Sequence, residues 1–341
     1  TVQVLQQSVA VLRTSPNLNP TAIAQADSLI AQTRDVPEAE ARGRLWHAYA
    51  LLSGREWTPE QAALGALALA SAAPLWAGSA EEVSIAQKYA VPMKGSFHYT
   101  MALYHAEGAG SATPRKGALE RELGSGVIRA ASPQRIKVQT KGIPDGGYLV
   151  VAHVVGDSGA ATDLALPLYV VSALEKRHAE LRSRLERING HDQAKATAEY
   201  PYALAQGILA GTREAIFYDF PRAIQRSAEI IASLEGGKDP VAHSRGLQNR
   251  AYRFAPTGEL VPYQLFVPSA WSPDRPAPLV VALHGANLDE TNMLLRGNGQ
   301  MQRLAEQYGY VVVAPLGYRV NSVYGSKRGL ASVLGIDDAR R

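Results

Sequence analysis

An α/β fold is predicted for the last part of this 341-residue chain, behind a helical region and a small β-sandwich, and three observations predict it. Two apolar runs, PLVVALHG and YVVVAP, flank a helical stretch, so a strand, a crossover helix and a parallel strand follow one another. Ahead of them the hydrophobic period changes twice, from helical to alternating and back. Joints rich in Gly and Pro separate the blocks. The division that results is a helical region at 1–82, a β-sandwich-like domain at 83–171, a helical connector at 172–245 and an α/β part at 246–341.

In the first block Val4, Leu5, Val9 and Leu12 recur at helical spacing. Asn19-Pro20 and Pro37 mark helix starts, and Thr58-Pro59-Glu60-Gln61 has an N-cap followed by proline at the first helical position. In the second block FHYTMALY (97–104), RIKVQ (135–139) and YLVVAHVV (148–155) alternate or run apolar, with Gly, Pro and Asp clusters between them. Short strands with such punctuation suit a sandwich. Gly156-Asp157-Ser158-Gly159-Ala160 lies in this presumed sandwich and is expected to be a hairpin turn, since Gly, Asp and Ser are turn residues.

The third block places Leu174, Leu181, Leu185 and Ile188 on one stripe and the charges of EKRHAELRSRLER on the other, and EGGKDP (235–240) ends it as a C-cap and linker. In the fourth, NRAYRFAPTGELVPYQLFVPSAW is two strands around the turn Pro256-Thr257-Gly258. PLVVALHG is expected to be a strand covered on both faces. NMLLRGNGQMQRLAEQYG supplies a helix that Gly297 and Gly299 interrupt and Gly309 ends.

Composition removes several classes of function. Hydrophobic residues at 46% and charged residues at 19% describe a globular chain. The net charge of +4 is small and its Lys and Arg are interleaved with acids, so no nucleic-acid partner is implied. Without cysteine there are no disulfides, thiol nucleophiles or thiolate metal sites. No apolar run reaches the roughly 18 residues of a membrane span; the longest candidate, from Ala62, is Ala-rich and stops at Pro74. A start at Thr1 fits removal of a secretory signal, hence a secreted or periplasmic protein, and fits a trimmed start equally. His98 and His105 are seven residues apart on one strand, which sends them to opposite faces and argues against a shared metal. His178 and His191 lie at helical charge runs and are expected in solvent, whereas Trp46, Trp57 and Trp76 are expected to pack against helices.

The hairpin 252–267, the strand and turn LVVALHGAN (279–287) and LAEQYGYVVVAP (304–315), in that order, resemble the opening of an α/β-hydrolase domain of the esterase group that includes feruloyl and acetylxylan esterases and polyhydroxyalkanoate depolymerases. The resemblance implies a serine carboxylester hydrolase working through an acyl-enzyme, with no metal and no organic cofactor. Its substrate would be a small molecule or polymer carrying an ester. In this fold one oxyanion donor comes from the turn after the third strand, which points to the backbone N–H of Ala286, or that of Asn287. Gly285 would let the backbone approach substrate, and His284 would organise the turn, because the triad histidine follows the nucleophile in this fold.

Gly317, Tyr318, Asn321 and Tyr324 follow a parallel strand's carboxyl end, where a cleft opens and an acyl or aryl group can be gripped. No Gly-x-Ser-x-Gly occurs in the chain, so the Ser, Asp and His of the triad are expected after Arg341. A peptidase of the same fold and a noncatalytic scaffold with a degenerate hydrolase part remain the alternatives. The oligomeric state is not indicated.

Overall fold

The computed structural model describes residues 2–15, 18–55, 57–108, 114–128, 133–214, 218–285 and 288–317. Four helices come first: α1 (Val2–Arg13), α2 (Pro20–Ala31), α3 (Glu38–Leu52) and α4 (Pro59–Ala66). Their starts follow the local chemistry. Asn19 Oδ1 accepts from Thr21 N at 2.9 Å ahead of α2, and Thr58 Oγ1 accepts from Gln61 N at 3.1 Å ahead of α4, each with Pro in the first turn, where its missing N–H costs no bond. Val9, Ala26, Ala48 and Leu52 close a small core among α1, α2 and α3.

Eight strands follow: β1 (Leu67–Ser71), β2 (Leu75–Trp76), β3 (Ala80–Gln87), β4 (Phe97–Glu107), β5 (Arg115–Ile128), β6 (Gln134–Gln139), β7 (Gly146–Gly156) and β8 (Ala161–Val170). Strands therefore begin at Leu67, earlier than the expected end of the helical region at residue 82. The Ala-rich stretch has helical propensity, but the pairing of Leu69 with Ile85 and of Leu67 with Gln87 overrides it. One sheet runs β1-β3-β6 and the other β2-β8-β7-β4-β5. Leu69, Ile85 and Val138 of the first share a single core with Phe97, Met101, Leu103, Val150 and Val154 of the second.

Along β4 the burial alternates, with Phe97, Tyr99, Met101 and Leu103 inside, and the register against β7 runs unbroken from Phe97 to His105. His98 and His105 therefore occupy opposite faces. The Gly156–Ala160 segment is the β7–β8 turn: Gly156 N donates to Ala160 O at 2.8 Å and Gly159 takes φ 85°. Ser158 is occupied there, its hydroxyl on the Glu60 carboxylate and its N–H on Glu60 Oε1 at 3.0 Å. Trp76 is fully buried, with Nε1 donating to Ser71 Oγ at 3.1 Å, and Trp57 stacks on His47 at 3.9 Å.

The helices α5 (Leu174–Glu186), α6 (Asp192–Leu209) and α7 (Phe220–Glu235) bury Leu174, Leu181, Leu185, Ile224 and Ile231, and the same core takes in Ala251 and Leu260 from the sheet that follows. At the end of α7, Gly237 N donates to Leu234 O and Lys238 N to Ser233 O; Gly237 at φ 76° permits this closure. His178 corrects the expectation of a solvated side chain. It is buried, with Nδ1 2.9 Å from Gln206 Oε1 and Nε2 3.8 Å from Glu199, because it sits on the same stripe as Leu174, Leu181 and Leu185. His178, Arg253 and Arg182 hold Glu199 below the usual carboxylate range. His191 precedes α6 at φ 57°, with Nδ1 2.9 Å from Asp239.

The last elements are β9 (Gly246–Arg253), β10 (Leu260–Val267), β11 (Leu279–Val281), α8 (Glu290–Tyr308) and β12 (Val311–Pro315). They form one mixed sheet in the order β11-β12-β10-β9, in which β9 and β10 are an antiparallel hairpin and β11 and β12 are parallel neighbours joined through α8. Helices thus combine with mixed and antiparallel sheets, an arrangement compatible with an α/β class. The sequence reading of α8 holds in detail: the backbone leaves the helix at Arg296–Gly299, with φ of 56°, 54° and 74° at Gly297, Asn298 and Gly299, and Gly309 closes it at φ 73°.

β11 does not match its prediction. It is three residues long and sits at the sheet edge, with Val280 and Val281 each 37% exposed and Leu283 49% exposed. The apolar run marks a strand, but among the described residues only β12 pairs with it. No described helix is long and apolar enough to cross a membrane.

Candidate active-site edge

After β11 the chain turns inward once more. Ala282 N donates to Val313 O at 2.8 Å, which prolongs the parallel pairing, Leu283 faces out, and His284 is buried. The His284 ring then spans the carboxyl ends of both parallel strands. Its Nε2 lies 2.6 Å from Leu316 O and its Nδ1 2.9 Å from Gly285 O. A neutral imidazole carries one N–H, so it donates to one of the two carbonyls, and only the protonated ring donates to both. A proton on Nε2 ties the turn after β11 to the loop after β12.

Gly285 and Gly317 complete the described part of this edge. Among the described residues nothing lies within 4 Å of where a Cβ on Gly285 would stand. Gly317 has φ 82°, in the left-handed region that favours glycine, and the preceding Leu316 N donates to Pro262 O at 3.3 Å. His284, Gly285 and Gly317 are therefore brought together by the sheet. Ala286, Asn287, Tyr318, Asn321 and Tyr324 lie outside the described residues. No group of three or more His, Asp or Glu with metal-ligand spacing occurs among the described residues.

One buried polar cluster was not foreseen from the sequence. Asp289 caps α8, its Oδ1 accepting from Thr291 N at 3.0 Å and from Thr291 Oγ1 at 2.5 Å, while Asn292 Oδ1 accepts from Asp289 N at 2.8 Å. The signal for this reciprocal cap was present, as Asp followed by Asn three residues on. Glu290, next in the chain, is buried, and burial followed by repulsion from Asp289 pushes its carboxyl up to about 8. Burial, with Glu290 as the leading charge contribution, also raises Tyr200 of α6 and Tyr218 just before α7.

No family model and no curated protein sequence matches the chain. Similar solved structures include a CsuC–CsuE chaperone–tip adhesion subunit pre-assembly complex of Acinetobacter baumannii Csu pili, at 10% identity and TM-score 0.24 over 31% of this chain and 57% of that one. A thermostable esterase gives 12% identity and TM-score 0.23 over 80% of this chain and 66% of that one. The sporulation control protein Spo0M of Bacillus subtilis gives 9% and 0.20 over 60% and 69%. The chain thus spans 57% and 66% of the lengths of the first two, and TM-scores this low carry no argument for fold or function.

Proposed function

We propose that 246–341 is the opening of an α/β-hydrolase domain in a serine carboxylester hydrolase, preceded by a helical region, a sandwich-like pair of sheets and a helical connector. The observation that carries this reading is the parallel pair β11 and β12, joined through α8 and inserted beside the β9–β10 hairpin, with His284 bridging the two strand ends. That topology brings His284, Gly285 and Gly317 to one carboxyl edge, where open α/β sheets bind ligands. Backbone N–H groups in such a turn stabilise the charge that grows on an ester carbonyl under attack, each contributing roughly 3 kcal/mol.

In this reading Ala286 and Asn287 offer the donors, His284 holds the turn, and Gly285, Gly317, Tyr318, Asn321 and Tyr324 border the acyl or aryl group. The triad Ser, Asp and His would lie after these 341 residues in chain order, so the 341-residue chain alone is expected to leave an activated ester unhydrolysed. A longer product carrying the triad should be labelled by a fluorophosphonate on a serine beyond Arg341. In that product Ala286→Pro, which removes the proposed N–H, should lower turnover by about two to three orders of magnitude with folding intact. Asn287→Pro is the companion that locates the donor. Labelling of a residue before Arg341 would overturn the assignment.

A further inference from the structure

Beside the N-terminus of α8 lies a cavity of about 520 Å³, bordered by α6, α7, the β9–β10 hairpin and α8, and none of His284, Gly285 or Gly317 lines it. A space of this size admits a small organic molecule. Three arginines share its lining: Arg222 and Arg226 of α7 and Arg250 of β9. Arg250 is 8% exposed and is the one buried arginine or lysine among the described residues. Its acceptors are all neutral. Nε lies 2.8 Å from Gln248 Oε1, Nη2 2.6 Å from the Val241 carbonyl and Nη1 3.2 Å from Gln193 Oε1, and it forms no ion pair among the described residues. Buried guanidinium groups are ordinarily paired, because neutral acceptors alone leave the cost of burying the charge largely uncompensated.

The rest of the lining adds donors and a modest surplus of positive charge. Arg222 and Arg226 stand one turn apart on the exposed side of α7, and neither side chain has a partner among the described residues. Tyr200 and Tyr218 meet edge to face at 6.0 Å, and their hydroxyls are likewise without a partner there. Asn249 has its Oδ1 taken by Gln264 Nε2 at 2.8 Å, which leaves its amide hydrogens to donate. The acids of the lining are Asp219, Glu229 and Glu290. Asp219 Oδ1 accepts from Arg222 N at 3.2 Å as the cap of α7, and Glu229 Oε1 from Gln225 Nε2 at 3.2 Å. Glu290, its carboxyl pushed up to about 8 by burial and then by Asp289, is uncharged at neutral pH. Three guanidinium charges against two carboxylates leave one positive charge over, which a monoanion balances.

We propose that this cavity binds a small organic monocarboxylate, its carboxylate held by Arg222 and Arg226 in the field of Arg250 and its apolar body laid along Tyr200 and Tyr218. The inference is independent of the ester-hydrolase reading. The planar fork of a guanidinium matches the two oxygens of a carboxylate, and the ligand supplies the counter-charge that no described residue gives Arg250. The two tyrosine rings are what an organic anion gains over an inorganic one.

Calorimetric titration of the 341-residue chain at neutral pH with benzoate, benzyl alcohol, benzylamine and inorganic phosphate tests it. The first three share a ring and differ in the charge of the head, and phosphate carries the charge without the ring. Benzoate should bind roughly tenfold or more tightly than each of the other three. Arg222→Gln and Arg226→Gln change exposed side chains and leave folding intact; each should weaken benzoate by roughly three- to tenfold while leaving benzyl alcohol as it was. Arg250→Gln should weaken benzoate by about tenfold or more. Should that variant fail to fold, the two α7 variants decide. Absence of benzoate binding would overturn the proposal, as would benzyl alcohol or phosphate binding as tightly as benzoate. So would a folded Arg222→Gln/Arg226→Gln double variant that binds benzoate unchanged.

Discussion

The two β regions of this chain bury different things. In the unit formed by β1 to β8 the shared core is apolar, and Thr140 is the one buried polar side chain of that region among the described residues. The sheet β9 to β12 with α8 is shorter, yet it holds seven of the eleven buried polar or charged residues among the described ones: Gln248, Arg250, Gln264, His284, Asp289, Glu290 and Thr291. It also exposes Leu247, Val280, Val281, Leu283, Leu295, Leu304 and Tyr308, where the first unit exposes Leu119. Burying polar groups opposes folding unless they are paired, and exposing apolar ones forfeits burial.

The largest expected effect breaks the closed core. Trp76 is fully buried, and its removal leaves a cavity and an orphaned Ser71 hydroxyl. Trp76→Ala should cost about 3–5 kcal/mol in urea unfolding. A cost below about 1 kcal/mol would mean that the apolar core is not the chain's main source of stability.

A smaller effect, opposite in sign, is expected from Glu290. Its folded value of about 8 lies above the ordinary 4.5, so between the two the folded chain keeps a proton that the unfolded chain has lost. Stability from this group is full below pH 4.5 and declines as pH rises to about 8, by an amount on the order of a few kcal/mol. Glu290→Gln stays neutral throughout, so relative to wild type it should gain stability between pH 5 and 8.5. Unfolding measured at those two values checks the sign, and an unchanged difference would place Glu290 in water.

Much of this architecture was legible. The α8 interruption at Gly297 and Gly299, the Gly309 stop, the β9–β10 turn and the parallel β11 and β12 all follow from local chemistry or from apolar runs. What the sequence hid depends on tertiary partners. Leu67–Ser71 has an Ala-rich, helix-prone composition and becomes a strand because β3 is there to pair with it. His178 looks solvated among charges until α6 covers it. Pro201 would ordinarily end a helix, yet α6 continues through it. On the candidate edge, the placement of His284, Gly285 and Gly317 at strand ends was readable because strand ends are where backbone turns; the burial of Glu290 was not, since nothing local distinguishes it from any first-turn acid.

The smallest effect sharpens the comparison most, because one substitution can be placed in both regions. Val150 sits in the middle of β7 with no exposure, between β4 and β8, whereas Val281 sits on the edge strand β11 at 37%. Val→Thr keeps the shape and exchanges a methyl for a hydroxyl. At Val150 that hydroxyl enters an apolar core and should cost about 1–3 kcal/mol; at Val281 it meets solvent and should stay within about 0.5 kcal/mol. Unfolding midpoints of the two variants measure the difference directly. If the proposed hydrolase reading holds, a longer product whose added residues cover β11 should raise the cost at Val281 toward that at Val150, while the Val150 cost stays put. Equal costs in the 341-residue chain would mean that β11 is already covered, and the contrast between a closed core and an open sheet would be lost.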